Sequence, residues 1–394
     1  MITRSRGAGV AVIGAGTMAR AHAYGYLAVP LIWSLPACPR LVVLCSRDAA
    51  KAERAARSLG FDEFATDWRA VVERADVDVV DICTPPGAHA EVVAAAAAAG
   101  KAVICEKPLA ARLADATAAA QAVQSAGVLS AIGFNYRRLP AIALMQQMIA
   151  EGAIGQPQLW RGTWLSDEFA DPSTGFDWRF DRDLGGSTVA DLGSHLIDLA
   201  EWMIGPITEA CAQSVTITGA RPCGSDGGTQ IVTVDDATSA LLRFRGGAHG
   251  TLEVAKTCVR RPCDFTIEVN GSTGTLSFAY ARLNELRYGT ATDDMGCYGM
   301  RTIRAEAPSH PYAARWWPLG QGIGYGASFV NQAGELMSAW PDGPWTPDLK
   351  TGLRVQQVCA AIESSAAQRA WCAVPGQQVR PGGTRPSRPA TRQG

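Results

Sequence analysis

A chain of 394 residues is longer than one hydrophobic core usually grows, so two domains are expected. Its 36 basic and 37 acidic residues leave a formal charge of −1, which argues against nucleic acid or an acidic membrane surface as partner. No apolar run reaches the ~20 residues of a membrane span, and the basic start MITRSRGAG leads only into a short apolar stretch, unlike a secretory signal.

In chain order, short apolar runs at 10–13, 41–45, 77–83, 102–105 and 129–134 read as strands covered on both faces. Between them, 18–28, 49–59, 89–99 and 113–126 read as helices, and Gly60, Gly100 and Gly127 punctuate three of their ends. Repeated strand–helix units predict an α/β chain that opens with a doubly wound, parallel Rossmann domain over 1–137. Beyond it, a helix at 141–151 leads into longer strands at 158–165, 210–218, 239–244 and 250–257. Two further strands, 265–269 and 275–278, flank the hairpin signal Asn270-Gly271-Ser272-Thr273-Gly274. These strands predict an α+β domain over 138–376 with a large, mainly antiparallel sheet. A helix at 187–203 interrupts the sheet, 219–228 reads as a mobile polar loop, and helices at 326–339 and 349–368 close the fold. The Pro-, Gly- and Arg-rich end, 377–394, is expected to be disordered. The eleven cysteines form no CxxC pair, so free thiols in a reducing cytoplasm, with no metal site, are expected.

Gly14-Ala15-Gly16-Thr17-Met18-Ala19 follows the first strand and opens the first helix. Gly14 permits a tight turn, Gly16 lets a pyrophosphate approach, and Ala19 allows close helix–strand packing. At the end of the second strand, Ser46 and Arg47 stand where an NAD-binding chain usually has an acid, which puts NADP ahead of NAD. Ser46 lies thirty residues after Gly16 rather than the usual ~20. Pro30, Trp33 and Pro36 mark the inserted stretch, read as a loop able to cover the adenosine or the substrate. Thr84 and Pro85 sit at another strand's carboxyl end, where ligands bind in such sheets, and His89 begins the next helix. Glu106 and Lys107 end a further strand, and Arg179 is placed to reach the cofactor as well.

Asp191 and His195 are spaced i, i+4 on a helix, so the carboxylate could orient the imidazole; Asp198 lies one turn further on. The chain has only five histidines, which makes one between two aspartates notable. With Cys105-Glu106-Lys107-Pro108 and Gly185-Gly186…Asp191-x-Gly-x-His195-x-x-Asp198 in one chain, the sequence resembles the glucose–fructose oxidoreductase/inositol dehydrogenase (Gfo/Idh/MocA) family. The resemblance implies Lys107, Asp191 and His195 as the catalytic set. It also implies an open-faced second sheet, often used for contacts in a homodimer or homotetramer. Phe134-Asn135-Tyr136-Arg137-Arg138, Phe176-Asp177-Trp178-Arg179-Phe180 and Gly322-Ile323-Gly324-Tyr325-Gly326 are similar to levoglucosan dehydrogenase-like sugar 3-dehydrogenases, although Ser46 departs from their acid.

The expected activity is therefore hydride transfer between a nicotinamide and a secondary hydroxyl of a pyranose, an amino sugar or aminoglycoside, or a cyclitol. His195 suits general-base work by its ordinary pKa of ~6.5. Lys107 would stabilise alkoxide charge, or would itself take the proton. Tyr136, Arg137, Asp167, Trp178, Gln321 and Tyr325 are the expected substrate lining. A biosynthetic NADPH-dependent keto-sugar reductase and a non-catalytic dinucleotide sensor are the competing readings.

Overall fold

The computed structural model describes residues 7–224 and 227–376, so the tail expected to be disordered lies outside it. Strands β1 (Gly9–Ile13), β2 (Arg40–Cys45), β3 (Glu63–Ala65), β4 (Val79–Ile82), β5 (Ala102–Cys105) and β6 (Ser130–Ile132) form the first sheet. Their order is β3-β2-β1-β4-β5-β6 and every pairing is parallel. Helices α1 (Thr17–Ile32), α2 (Ala49–Leu59), α3 (Trp68–Val72), α4 (His89–Ala98) and α5 (Leu113–Ala126) connect the strands. Side chains alternate along a strand, so Val10 and Val12 join one apolar layer and Ala11 and Ile13 the other. Layers on both faces are why these strands read as continuous apolar runs. The strand order reverses between β1 and β4, which opens a crevice at their carboxyl ends.

Helix α6 (Pro140–Ala150) leads into β7 (Pro157–Leu165), and α7 (Ser194–Ile204) precedes β8 (Ile207–Val215). A two-stranded ribbon, β9 (Ala220–Cys223) with β10 (Gly228–Ile231), stands apart. Then come β11 (Ala237–Phe244), β12 (His249–Ala255), β13 (Asp264–Gly271), β14 (Gly274–Ala279), β15 (Glu285–Thr290) and β16 (Arg301–Arg304). After α8 (Ala327–Ala339) and α9 (Leu349–Gln368), β17 (Cys372–Ala373) completes a nine-stranded sheet ordered β16-β15-β14-β13-β7-β12-β11-β8-β17. β7 and β12 pair parallel and the other pairings are antiparallel. Along β11 and β12 buried and exposed residues alternate, so one face packs on helices and the other lies open.

Four readings of the sequence are corrected. The stretch 219–228 is not a plain loop: β9 and β10 pair across it, and buried Arg221 hydrogen-bonds the carbonyls of Phe169 and Asp171. A polar sequence hid a polar tertiary anchor. Helix α1 runs on to Ile32 with Pro30 inside its last turn. Trp33, expected in a loop, is the cap of that helix, packs against Gly334 of α8 and lies under Arg315. The helix expected at 187–203 begins with a π-helical segment, 189–193, before α7.

The end of the chain returns to the first sheet. Val330, Ala333, Leu336 and Met337 of α8 join the same apolar layer as Val10 and Val12. Helix α9 meanwhile packs against both α5 and β8. The two sheets are thus fixed against each other across the crevice.

Candidate active site

The glycine turn is built for a dinucleotide. Gly14 has φ 125°, and a Cβ there would stand 2.5 Å from the Cys83 carbonyl oxygen, so only glycine fits between β1 and β4. At Gly16 a Cβ would meet nothing, and Gly16 and Thr17 are exposed, while Met18 is half-buried against the core. The first turn of α1 carries no acid and its N-cap has no side-chain bond, leaving free N–H groups for an anion. In the neighbouring loop Thr84 Oγ1 is buried without a partner among the described residues, and Pro85 is exposed beside it. These features fit a pyrophosphate and a nicotinamide ribose along the carboxyl ends of β1 and β4. At the end of β2, Asp48 accepts a hydrogen bond from the Lys51 amide and caps α2. Ser46 beside it is half-buried and Arg47 is exposed.

Across the crevice, Lys107 reaches the second domain. Its Nζ donates to Asp191 Oδ1 at 2.7 Å and to the Asp191 carbonyl at 2.9 Å. Arg179 Nε lies 3.6 Å from Asp191 Oδ2, while its Nη1 pairs with Asp177 and the guanidinium stacks on Trp178. A Cβ at Gly186 would lie 2.6 Å from the Arg179 carbonyl, so this glycine lets the Trp178–Arg179 turn sit against the Asp191 segment. Burial pushes the Asp191 carboxyl up, but the Lys107 and Arg179 charges overcome it and hold the group below its ordinary range.

His195 is 5% exposed. Burial first, and the Lys107 ammonium second, hold its pKa well below 6.5 against the opposing pull of Asp191, so the ring is neutral at neutral pH. No hydrogen bond joins Asp191 to His195 among the described residues. The π-helical turn is wider than an α-turn, so i and i+4 no longer stack as the spacing predicted. Asp198 does not serve His195 either: it accepts a bidentate pair from Arg137 at 2.6 and 2.7 Å. Among the described residues His195 Nδ1 is buried without a partner, which leaves Nε2 as the nitrogen available to a ligand.

Aromatic rings wall this pocket. Tyr136 lies 4.8 Å from the His195 ring, with Trp164, Phe265, Tyr280 and Tyr325 around it. Tyr136 and Tyr325 were expected here. Trp164 and Tyr280 were missed, although the alternation of β7 offered a signal for Trp164. Asp167 is half-buried beside Glu168, whose carboxyl is raised first by the burial of that group and then by the Asp191 charge. Gln321 is exposed on a turn without a side-chain partner among the described residues. Arg137 braces Asp198 and lies over Trp202. His89 is fully buried, its Nε2 at 2.8 Å from the Thr84 carbonyl and its Nδ1 at 2.9 Å from that of Pro108. It ties two cleft loops together from beneath. Glu106 is buried as well, and its partners lie below the crevice.

Two family models match in order: an oxidoreductase family with an NAD-binding Rossmann fold over 8–134, and a GFO/IDH/MocA C-terminal domain over 142–277. Levoglucosan dehydrogenase of Pseudarthrobacter phenanthrenivorans is 37% identical over 382 residues, covering 93% of this chain and 98% of that one. A scyllo-inositol 2-dehydrogenase (NAD(+)) of Bacillus subtilis is 30% identical over 68% of this chain and 72% of its own. Among solved structures, levoglucosan dehydrogenase in complex with NADH superposes with a TM-score of 0.91 at 37% identity, covering 94% of this chain and 100% of that one. An oxidoreductase domain protein from Kribbella flavida gives 0.90 at 40% identity, covering 94% and 99%. With its glycine turn, two-domain crevice and near full-length relatives, the chain belongs to the Gfo/Idh/MocA family of oxidoreductases and has that family's NAD-binding Rossmann fold.

Proposed function

We propose that the protein is a nicotinamide-dependent dehydrogenase that oxidises a ring hydroxyl of a pyranose, an amino sugar or a cyclitol, at the 3-position of a pyranose. The observation that carries this reading is the meeting of Lys107 with Asp191, beside a neutral His195, above a dinucleotide turn. The relatives named for levoglucosan and inositol support the substrate class. When bound, the nicotinamide supplies the hydride acceptor. His195 Nε2 takes the hydroxyl proton, because the ring is uncharged and free to accept. Lys107, held toward the cleft by its contact with Asp191, donates to the reacting oxygen and stabilises its developing charge. The Trp164 and Tyr325 rings, packed against buried Tyr136, offer apolar faces to sugar C–H groups, and Glu168 offers a carboxylate to an amino substituent.

NADP is the favoured cofactor in this reading and NAD the alternative. An acid at the end of β2 would repel a 2′-phosphate, whereas Ser46 and Arg47 would bind one. The protein would act in a reducing cytoplasm, with its eleven cysteines free. It would be a homodimer or homotetramer joined through the open face of the nine-stranded sheet, where Leu159, Leu241 and Trp371 are exposed. Among the described residues no helix is long and apolar enough to cross a membrane.

The test is a turnover screen of levoglucosan, inositols, glucose and aminoglycosides, each with NAD and NADP. The reading expects a sugar or cyclitol to reduce the cofactor, with the higher kcat/KM for NADP. Turnover of neutral sugars alone ends the amino-sugar proposal, a preference for NAD ends the NADP proposal, and no turnover of any sugar or cyclitol ends the substrate class.

A further inference from the structure

Directly beneath the Lys107 loop lies a cluster of ionisable groups with no part in the chemistry just described. His22 of α1, Asp81 of β4 and Glu106 after β5 are 3%, 0% and 4% exposed. His22 Nδ1 lies 2.8 and 3.0 Å from the two Asp81 oxygens, and His22 Nε2 lies 2.9 Å from Glu106 Oε1. The Tyr26 hydroxyl donates to Asp81 at 2.8 Å, and the Cys83 thiol faces the same carboxylate. Phe329 of α8 covers the imidazole at a ring distance of 5.6 Å, and a Cβ on Gly133 would collide with Glu106 Oε1 at 2.5 Å. The Glu106 carboxylate is thus held from both sides. Its second oxygen, Oε2, accepts the backbone N–H of Lys107 at 3.1 Å.

An imidazole can donate from both nitrogens to two carboxylates only as the imidazolium. Burial works against that charge, but Asp81 overrides it and keeps His22 protonated well above the ordinary histidine range. Buried charges persist where they are paired and hydrogen-bonded, and here one cation bridges two anions. The bridge ends on the backbone of the residue whose ammonium must cross the crevice to Asp191.

We propose that His22, clamped by Asp81, is a positioning residue: through Glu106 it fixes the Lys107 backbone, and with it the point to which the ammonium reaches. The inference rests on the catalytic reading of Lys107 for its effect on turnover, whereas its mechanical part does not. A displacement of about 1 Å at a reacting group can cost about a hundredfold in rate.

Three variants test it: Glu106→Ala, Glu106→Gln and His22→Phe. Glu106→Ala removes the bridge but leaves the His22–Asp81 pair intact, so no buried charge is stranded. Glu106→Gln keeps one of the two acceptor oxygens, so its amide oxygen can serve His22 Nε2–H or the Lys107 N–H and retains half of the bridge. Each variant is scored by kcat and sugar KM, and, in the cofactor-free protein, by the rate at which a water-soluble acylating reagent modifies the Lys107 amine. Glu106→Ala is expected to lower kcat about a hundredfold with sugar KM changed by less than about threefold. It should also speed acylation of Lys107 several-fold, as the ammonium leaves Asp191. Glu106→Gln should recover at least about tenfold of the lost kcat and slow the acylation again. His22→Phe should behave like Glu106→Ala; if it fails to fold, the Glu106 pair decides alone. Folded Glu106→Ala protein with unchanged kcat and unchanged acylation overturns the proposal. If Lys107→Met retains turnover, the catalytic reading fails, and the acylation rates still decide the positioning claim.

Discussion

At the scale of single residues, the site is a matter of which charge faces which. Asp191 pairs with Lys107, and burial together with the Lys107 charge keeps His195 neutral. A base whose pKa is depressed stays proton-free as the pH falls through its ordinary value. The pH profile of kcat/KM for sugar oxidation should therefore be flat through pH 6.5 and fall only on the acid side of it. An acid limb centred above 6.5 would show that His195 is not the buried neutral base described. Arg137 makes a different prediction. Asp198 is 1% exposed, so Arg137→Ala strands a buried carboxylate and should cost about 3–5 kcal/mol in denaturant unfolding, on the scale of breaking a buried ion pair. A loss below about 1 kcal/mol would place the pair with weak surface bridges. The sequence announced Lys107, Asp191, His195 and Asp198 by motif, but not their pairing, because a side chain's partner depends on elements far away in the chain. Asp198 finds Arg137 sixty-one residues earlier, and Asp191 finds Lys107 eighty-four earlier.

At the scale of elements, the parallel strands were legible because burial on both faces leaves unbroken apolar runs, as in β1 and β4. The glycine turn was legible because its conformation admits few residues. Gly14→Ala would force a side chain into a left-handed φ and against the Cys83 carbonyl. It should destabilise the protein by about 1–3 kcal/mol and weaken dinucleotide binding in a fluorescence titration. Wild-type affinity and stability would mean that the turn is not under this constraint. Other elements were hidden for physical reasons. The ribbon of β9 and β10 is polar because it is anchored by Arg221 rather than by apolar burial, so no strand periodicity marks it. The π-helical turn at 189–193 has no composition of its own, and an i, i+4 pairing drawn on an α-helix fails there.

At the scale of the whole molecule, one sheet carries the dinucleotide turn and Lys107, and the other carries the Asp191–His195 segment. The C-terminal helices hold the two together, α8 on α1 and α9 on α5. That return was not visible in the sequence, since 326–339 and 349–368 read simply as helices that close the fold. The central claim is that Lys107 and His195 act on one substrate oxygen over one nicotinamide. It is tested most directly by single-turnover oxidation of a sugar substrate, followed by nicotinamide absorbance, in the wild type, Lys107→Met and His195→Ala. The account predicts a fast rise of reduced cofactor in the wild type. It predicts a rate at least about a hundredfold lower in each variant, with cofactor affinity retained. A wild-type rate of hydride transfer in either variant would contradict it.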